Sequence, residues 1–255
     1  MKSFIAFTKK EFVESLRTLR VFVLAIVFIF FGVTSPLTAK ILPELINSME
    51  LGDDLKITLP EPSALDSWAQ FFKNVGQTGM LTLIIIFCGI TANELSRGTL
   101  INLLTKGMKR HTVILSKFLS ASVLWTASYL LCLGICYAYT EYIWADDVIY
   151  NAFSAFLSLW LFGEFLISLL ILGGILLKNF YGSLFTCFGV IIAMSLLNII
   201  PYVNKYNPII LASDTLNLLS SQKSVSDFIP AIIVCTCGIV LLLVISIVTF
   251  NKKQL

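Results

Sequence analysis

Six long apolar runs constrain this chain more than any other feature. Val21 to Ala39, Val75 to Ala92, Phe118 to Thr140, Phe153 to Leu177, Phe180 to Ile200 and Ile229 to Phe250 are each long enough to cross a bilayer. The hydrocarbon core is about 30 Å thick and takes about 20 helical residues. Inside it every backbone donor and acceptor must be met by protein, which leaves helices or a closed barrel. Barrel strands alternate over segments of about 10 residues, and these runs do not alternate. The chain of 255 residues is 57% hydrophobic and only 13% charged, where a soluble domain carries about 25% charged residues. The expected fold is an all-α integral membrane protein, one transmembrane domain over residues 1–255 with six spans.

Orientation follows from where lysine and arginine fall. With both termini in the cytoplasm, the inside segments hold thirteen basic residues and the outside loops five, Lys40, Lys56, Lys73, Lys205 and Lys223. Three acids, Glu11, Glu14 and Glu94, lie inside and eleven outside, with Glu164 inside a span. The net charge of +3 therefore hides an asymmetry across the membrane and gives no case for nucleic-acid binding. All six cysteines fall inside the spans, so a disulfide framework is not expected. Cys132 and Cys136 share a helix face as small packing residues, and Cys235 and Cys237 point to different faces. No metal site is expected.

The segments between spans carry further expectations. In residues 1–20, Ile5, Phe12, Leu16 and Leu19 share one side of a helix, the pattern of an amphipathic helix on the inner leaflet. It serves as an anchor or also touches a cytoplasmic partner. A cleaved signal peptide is not expected, because the charged lead and apolar core both exceed the usual lengths. Pro36 should kink or end the first span. The outside loop 40–74 is acidic, with helices expected over Leu42 to Leu51 and, capped by Ser63, over Ser63 to Lys73. Its acids either attract a cationic substrate or form a solvated face. Ile209 to Leu219 is apolar but too short to cross, which predicts a re-entrant or interfacial helix before the last span. Pro230 is expected in the first turn of that span, where proline is tolerated.

Two features bear on chemistry. Glu164 sits midway along the fourth span, where a charged acid costs roughly 2.5 to 3.5 kcal/mol. It either makes a structural hydrogen bond, with Ser168 one turn on as a candidate, or lines a substrate or ion path. Meanwhile no G-x-x-x-x-G-K-[ST] loop, H-E-x-x-H or G-x-S-x-G occurs, so no catalytic residue and no nucleotide site of the chain's own is expected. Energy for transport would then arrive from another polypeptide, and segment 93–117 is the one inside loop large enough to receive it. His111, beside Lys109 and Arg110, is expected to be a solvated residue.

That segment also carries a resemblance. Glu94-Leu95-Ser96-Arg97-Gly98-Thr99-Leu100, then Leu103-Leu104, Lys106 to Arg110 and Ile114-Leu115-Ser116-Lys117 resemble the pattern after the second span of type 2 ATP-binding cassette (ABC) exporter permeases. The amphipathic first helix, six spans and short outside helix before the last span are similar as well. The resemblance implies a permease, not itself an enzyme, that pairs with a second permease copy or homologous permease. It further implies two separate ATPase subunits, which would bind the ATP and Mg, with no cofactor on this chain. Glu94, Arg97, Gly98, Thr99, Leu100, Leu103, Leu104, Lys106 and Arg110 would form the coupling segment, beside a connecting helix over Met1 to Leu19. The apolar leucines would anchor it and the cations would supply complementary charge. The competing role for this loop is contact with anionic lipid.

The resulting expectation is a permease subunit of an ABC exporter in the cell membrane, moving a peptide, antibiotic or lipid-like cargo. An ion-gradient transporter working through Glu164 and a peptide-capturing immunity protein are the alternatives.

Overall fold

The computed structural model describes residues 2–48, 61–100, 104–105, 107–145 and 151–253. It is all-helical among them, and six helical runs are long and apolar enough to cross a membrane. An interfacial helix α1 (Lys2–Arg17) turns through Leu19, which adopts a left-handed φ of 59°, into the first span α2 (Arg20–Ser48). The second span is one helical run from Ala64 to Ser96. It comprises α3 (Ala64–Lys73), a π-helical segment (Asn74–Gly79), α4 (Met80–Phe87) and α5 (Gly89–Ser96). The third and fourth spans are α6 (Arg110–Ile143) and α7 (Ala152–Leu177). After α8 (Phe180–Leu197) come three short helices, α9 (Pro201–Asn204), α10 (Ile210–Ser213) and α11 (Thr215–Leu219), before the last span α12 (Val225–Lys252).

The α7 helix is the axis of the bundle. Its sequence is apolar on every side, and 78% of its most apolar stretch is buried, against 17% for α8. Lipid is as apolar as leucine, so burial alone does not drive such helices together, and close packing at small residues must. Three glycines supply it. A side chain at Gly163 would lie 2.4 Å from the Trp125 ring of α6. At Gly174 it would lie 3.1 Å from the backbone of Ala92, and at Gly173 it would press on Ser183 of α8. The Gly173-Gly174 pair thus allows close approach on two sides, and α7 runs through it unbroken.

The proline expectations need correction. Pro36 and Pro43 both lie within a continuous α2. Around Pro36 the hydroxyls of Thr34 and Ser35 donate back to the carbonyls of Phe30 and Phe31 at 2.8 and 2.7 Å, each one turn earlier in the same helix. Asn74 of the π segment donates to Ser35 Oγ at 3.1 Å, fastening the second span to that turn. Pro230 is likewise inside α12 and not in its first turn. The helix starts earlier because Ser224 and Asp227 form a capping box, with Ser224 N and Oγ both donating to Asp227 Oδ2.

The outside helix expected from Ser63 to Lys73 is present as α3, closed by the same device through Asp66, but it continues directly into the second span. The helix expected over Leu42 to Leu51 is the tail of α2 as far as Ser48, and the remainder lies outside the described residues. The single short helix expected over Ile209 to Leu219 is broken in two at Asp214, which pairs with Lys223 at 2.6 Å. Ile210, Leu211, Leu218 and Leu219 are buried, so this pair of turns folds back onto the bundle.

Replacing Gly163 with valine should displace Trp125 and break its indole hydrogen bond to the Trp160 carbonyl, now 3.1 Å. The expected cost is about 1–3 kcal/mol of overpacking. A lowered unfolding midpoint in detergent, with the helical circular dichroism retained at low temperature, checks it.

Candidate functional site

Segment 93–117 begins where the second span stops, and the stop is specific. Gly98 takes a φ of 66°, its N–H donates to the Leu95 carbonyl at 3.3 Å, and the Thr99 N–H donates to the Glu94 carbonyl at 3.2 Å. This is a Schellman C-cap, in which glycine enters the left-handed region without a Cβ penalty. The Thr99 hydroxyl adds a bond to the same Glu94 carbonyl. The chain then drops Leu100 into the core, and the Leu104 N–H donates to the Leu100 carbonyl at 3.0 Å.

The cap leaves the Glu94 side chain facing inward, into a cluster of five charges. Lys117 of α6, 1% exposed, contacts Glu94 at 2.6 Å and Glu11 of α1 at 3.0 Å. The contact to Glu94 is ionic, off the hydrogen-bonding axis. Lys10 of α1 pairs with Glu94, with Glu14 at 2.7 Å and with Glu11 at 3.1 Å. Burial pulls the Lys10 ammonium down, but its bonds to Glu14 and Glu94 and the charge of Glu11 outweigh that and hold it above the ordinary lysine value. It stays charged at physiological pH. The carboxylate oxygens of Glu11, Glu14 and Glu94 lie within 4.8 Å of one another; the Lys10 ammonium touches all three, and Lys117 supplies the second positive charge to Glu11 and Glu94.

A second tie closes the same end of the bundle. The Arg110 guanidinium, at the start of α6, donates to the carbonyls of Phe250, Asn251 and Lys253 and lies over the Phe250 ring. These are the unsatisfied carbonyls at the C-terminus of α12, where a cation also meets the favourable end of the helix dipole. Lys253 in turn caps α7 through the carbonyls of Ile175 and Leu176. Burial, with Lys178 nearby, pulls the Lys253 ammonium below its ordinary value.

The expected coupling residues therefore separate into two groups. Glu94, Leu100 and Arg110 were expected to meet a partner, but they are turned into the chain's own bundle, because each finds a buried counterpart there. Gly98 and Thr99 shape the cap, and Leu104 is half-buried against the core. Arg97 is exposed and, like the neighbouring exposed Lys109 and His111, makes no ion pair among the described residues. Leu103 and Lys106 lie outside the described residues. Sequence reasoning missed Lys10, Glu11 and Lys117 as site members. Their signal was present only in hindsight: Phe7, Glu11 and Ser15, four residues apart, form the buried face of α1, while the expected stripe points away, with Ile5 64% exposed and Leu16 and Leu19 also exposed.

Glu164 is 3% exposed and lies between α7 and α6. Its partner is Ser122, whose hydroxyl donates to Oε1 at 2.7 Å. Ser168, the candidate partner, donates instead to the Phe165 carbonyl within its own helix. Its second carboxylate oxygen meets no hydrogen-bond partner of good geometry among the described residues, with the Thr126 hydroxyl nearby.

Replacing Lys117 with methionine should leave two buried carboxylates short of a counterion and cost about 3–5 kcal/mol. Adding Glu11→Gln and Glu94→Gln to that variant should restore most of the loss. Thermal unfolding of the three proteins in detergent tests this, and a triple variant as unstable as Lys117→Met would remove the electrostatic account.

Over 161 residues the chain is 28% identical to the uncharacterized transmembrane protein YxlG of Bacillus subtilis (strain 168). The match takes in 63% of this chain and 62% of that relative, so the chain spans under two thirds of the relative it resembles. No protein-family model matches. Together with the six spans, this similarity makes the chain a membrane protein with several spans.

Proposed function

We propose that this chain is the permease subunit of an ATP-driven ABC exporter in the plasma membrane, with both termini and segment 93–117 in the cytoplasm. The observation that carries the reading is the mechanical character of that segment. Its base is fixed through Glu94 to α1 and α6, and its far end through Arg110 to α12. Its exposed side offers Arg97 and Lys109, which make no ion pair among the described residues. A push on that surface by another protein is transmitted to four helices at once, since moving any one of them separates buried charges. Energy arrives from two ATPase subunits that bind ATP and Mg themselves, and a second permease copy or homologue completes the pathway. The thirteen basic residues on this side of the spans support the orientation. The cargo is amphipathic or hydrophobic, in keeping with spans that contain one acid, Glu164, and little other charge.

Charge reversal at the exposed cations tests the reading. Arg97→Glu with Lys109→Glu should weaken co-purification of the ATPase subunits about tenfold or more while the chain still inserts and folds, because neither residue supports the bundle. ATPase activity dependent on this chain should fall in parallel. Unchanged complex formation would remove the coupling role.

The second oxygen of buried Glu164, without a well-aligned partner among the described residues, favours a second reading, transport driven by an ion gradient. In that case uptake into vesicles persists without any ATPase and disappears in Glu164→Gln. On the exporter reading the same variant keeps its transport, because a glutamine still accepts the Ser122 hydrogen bond.

A further inference from the structure

At the end of the bundle opposite the ion cluster, a groove of about 610 Å³ opens beside the π segment of the second span. That volume is in the range of sites for small molecules. Phe72, Ile84, Phe162 and Phe188 give it an apolar lining. One basic side chain, Lys73, stands on its rim with Gln77, and among the described residues no acid lines it. Lys73 is exposed and makes no ion pair or hydrogen bond among the described residues.

The depth of these groups follows from the helix that carries them. Glu94, in the charged cluster at the other end, is 21 residues beyond Lys73 on the same helical run. At 1.5 Å per residue that is roughly 31 Å, matching a hydrocarbon core of about 30 Å. Lys73 therefore sits at headgroup level in the opposite leaflet. Ile84, 11 residues along, lies roughly 16 Å deeper, near the middle of the bilayer. The groove thus has a free cation at the interface and an apolar trough running from it into the membrane.

Backbone geometry keeps the trough open. A π-helical turn widens the helix locally and re-aims its side chains, and Gly76 within it faces the groove without a side chain. Across the groove, Ile209 just before α10, Ala212 of α10 and Leu216 of α11 give the wall an apolar part.

We propose that this groove holds one anionic phospholipid of the surrounding bilayer, with its headgroup against Lys73 and an acyl chain along Phe72, Ile84 and Phe162. Among the described lining residues no acid meets the cationic end of a zwitterionic headgroup, so the single lysine selects for net negative charge. The inference stands apart from the exporter reading, since it concerns a ligand held by this chain alone.

Native mass spectrometry of the full chain, released from detergent after incubation with phosphatidylglycerol or phosphatidylcholine, tests it. One phosphatidylglycerol should be retained per chain, with about a tenfold preference over phosphatidylcholine, the scale of one charge-assisted contact. Lys73→Gln should abolish the preference, and Lys205→Gln, an exposed lysine outside the groove, should keep it. Ser195→Trp, on the exposed lip of the groove, should reduce retention of both lipids by filling the space. Equal retention of the two lipids by the unaltered chain overturns the proposal. So does a preference that survives Lys73→Gln, or one lost equally in Lys205→Gln.

Discussion

A buried ammonium between two carboxylates sets the terms for one end of this molecule. Lys117 is almost wholly out of solvent, and its counterions come from α1 and from the last turn of the second span. Desolvating these charges costs several kcal/mol per ion and is offset only while every partner is in place. The arrangement is therefore close to all-or-none. Three elements distant in sequence, at residues 11, 94 and 117, must arrive together, and none can shift alone without stranding a charge. The Arg110 and Lys253 clamps extend the same logic to α12 and α7, because a cation withdrawn from a helix C-terminus leaves bare carbonyls behind.

The opposite end is held by neutral contacts. The Trp144 indole donates to the Pro62 carbonyl at 2.7 Å, Asn74 donates to Ser35, and Ser67 and Thr140 share a hydrogen bond at 2.7 Å. The ion pair found there, Asp214 with Lys223, closes a local turn and joins no two spans. Between the two ends, α7 packs through glycine faces, where fit and not charge decides the spacing. The bundle is thus locked electrostatically at one end and sterically in the middle.

How much of this was legible in the sequence depends on the range over which each signal acts. The six spans were legible because apolar length is a property of a single stretch, and their order and number are as the runs indicated. Helix ends were less so. The second span gains α3 at its start because nothing between Lys73 and Val75 breaks a helix, and the third gains the eight residues Arg110 to Lys117, five of them polar, because Lys117 and Arg110 find partners inside the protein. Pro36 reads as a kink or an end of the first span, since its missing donor is local information, and the helix nevertheless runs on past it to Ser48. The Gly98 cap was readable, being a rule about adjacent residues. The ion cluster was not: Glu11 and Lys117 are 106 residues apart, and each alone looks like an ordinary solvated charge on a cytoplasmic loop.

The same contrast decides where the second span can yield. Its end at Glu94 is held by two cations from two other helices, and Gly174 closes on the backbone at Ala92, so rotation there separates ions and jams a packed face. Twenty residues earlier, Asn74–Gly79 is π-helical, contains two glycines and borders an open groove. A π turn holds one residue more than an α turn, and reverting it would turn α3 relative to α4 by about one residue's angular step while Glu94 keeps its ion pairs. Load applied at the charged end is accordingly carried rigidly along α5 and α4 and finds its compliance beside Lys73. The helical run that begins with the capped α3 and ends in a five-charge cluster is therefore held by charge at one end and bordered by an open groove at the other.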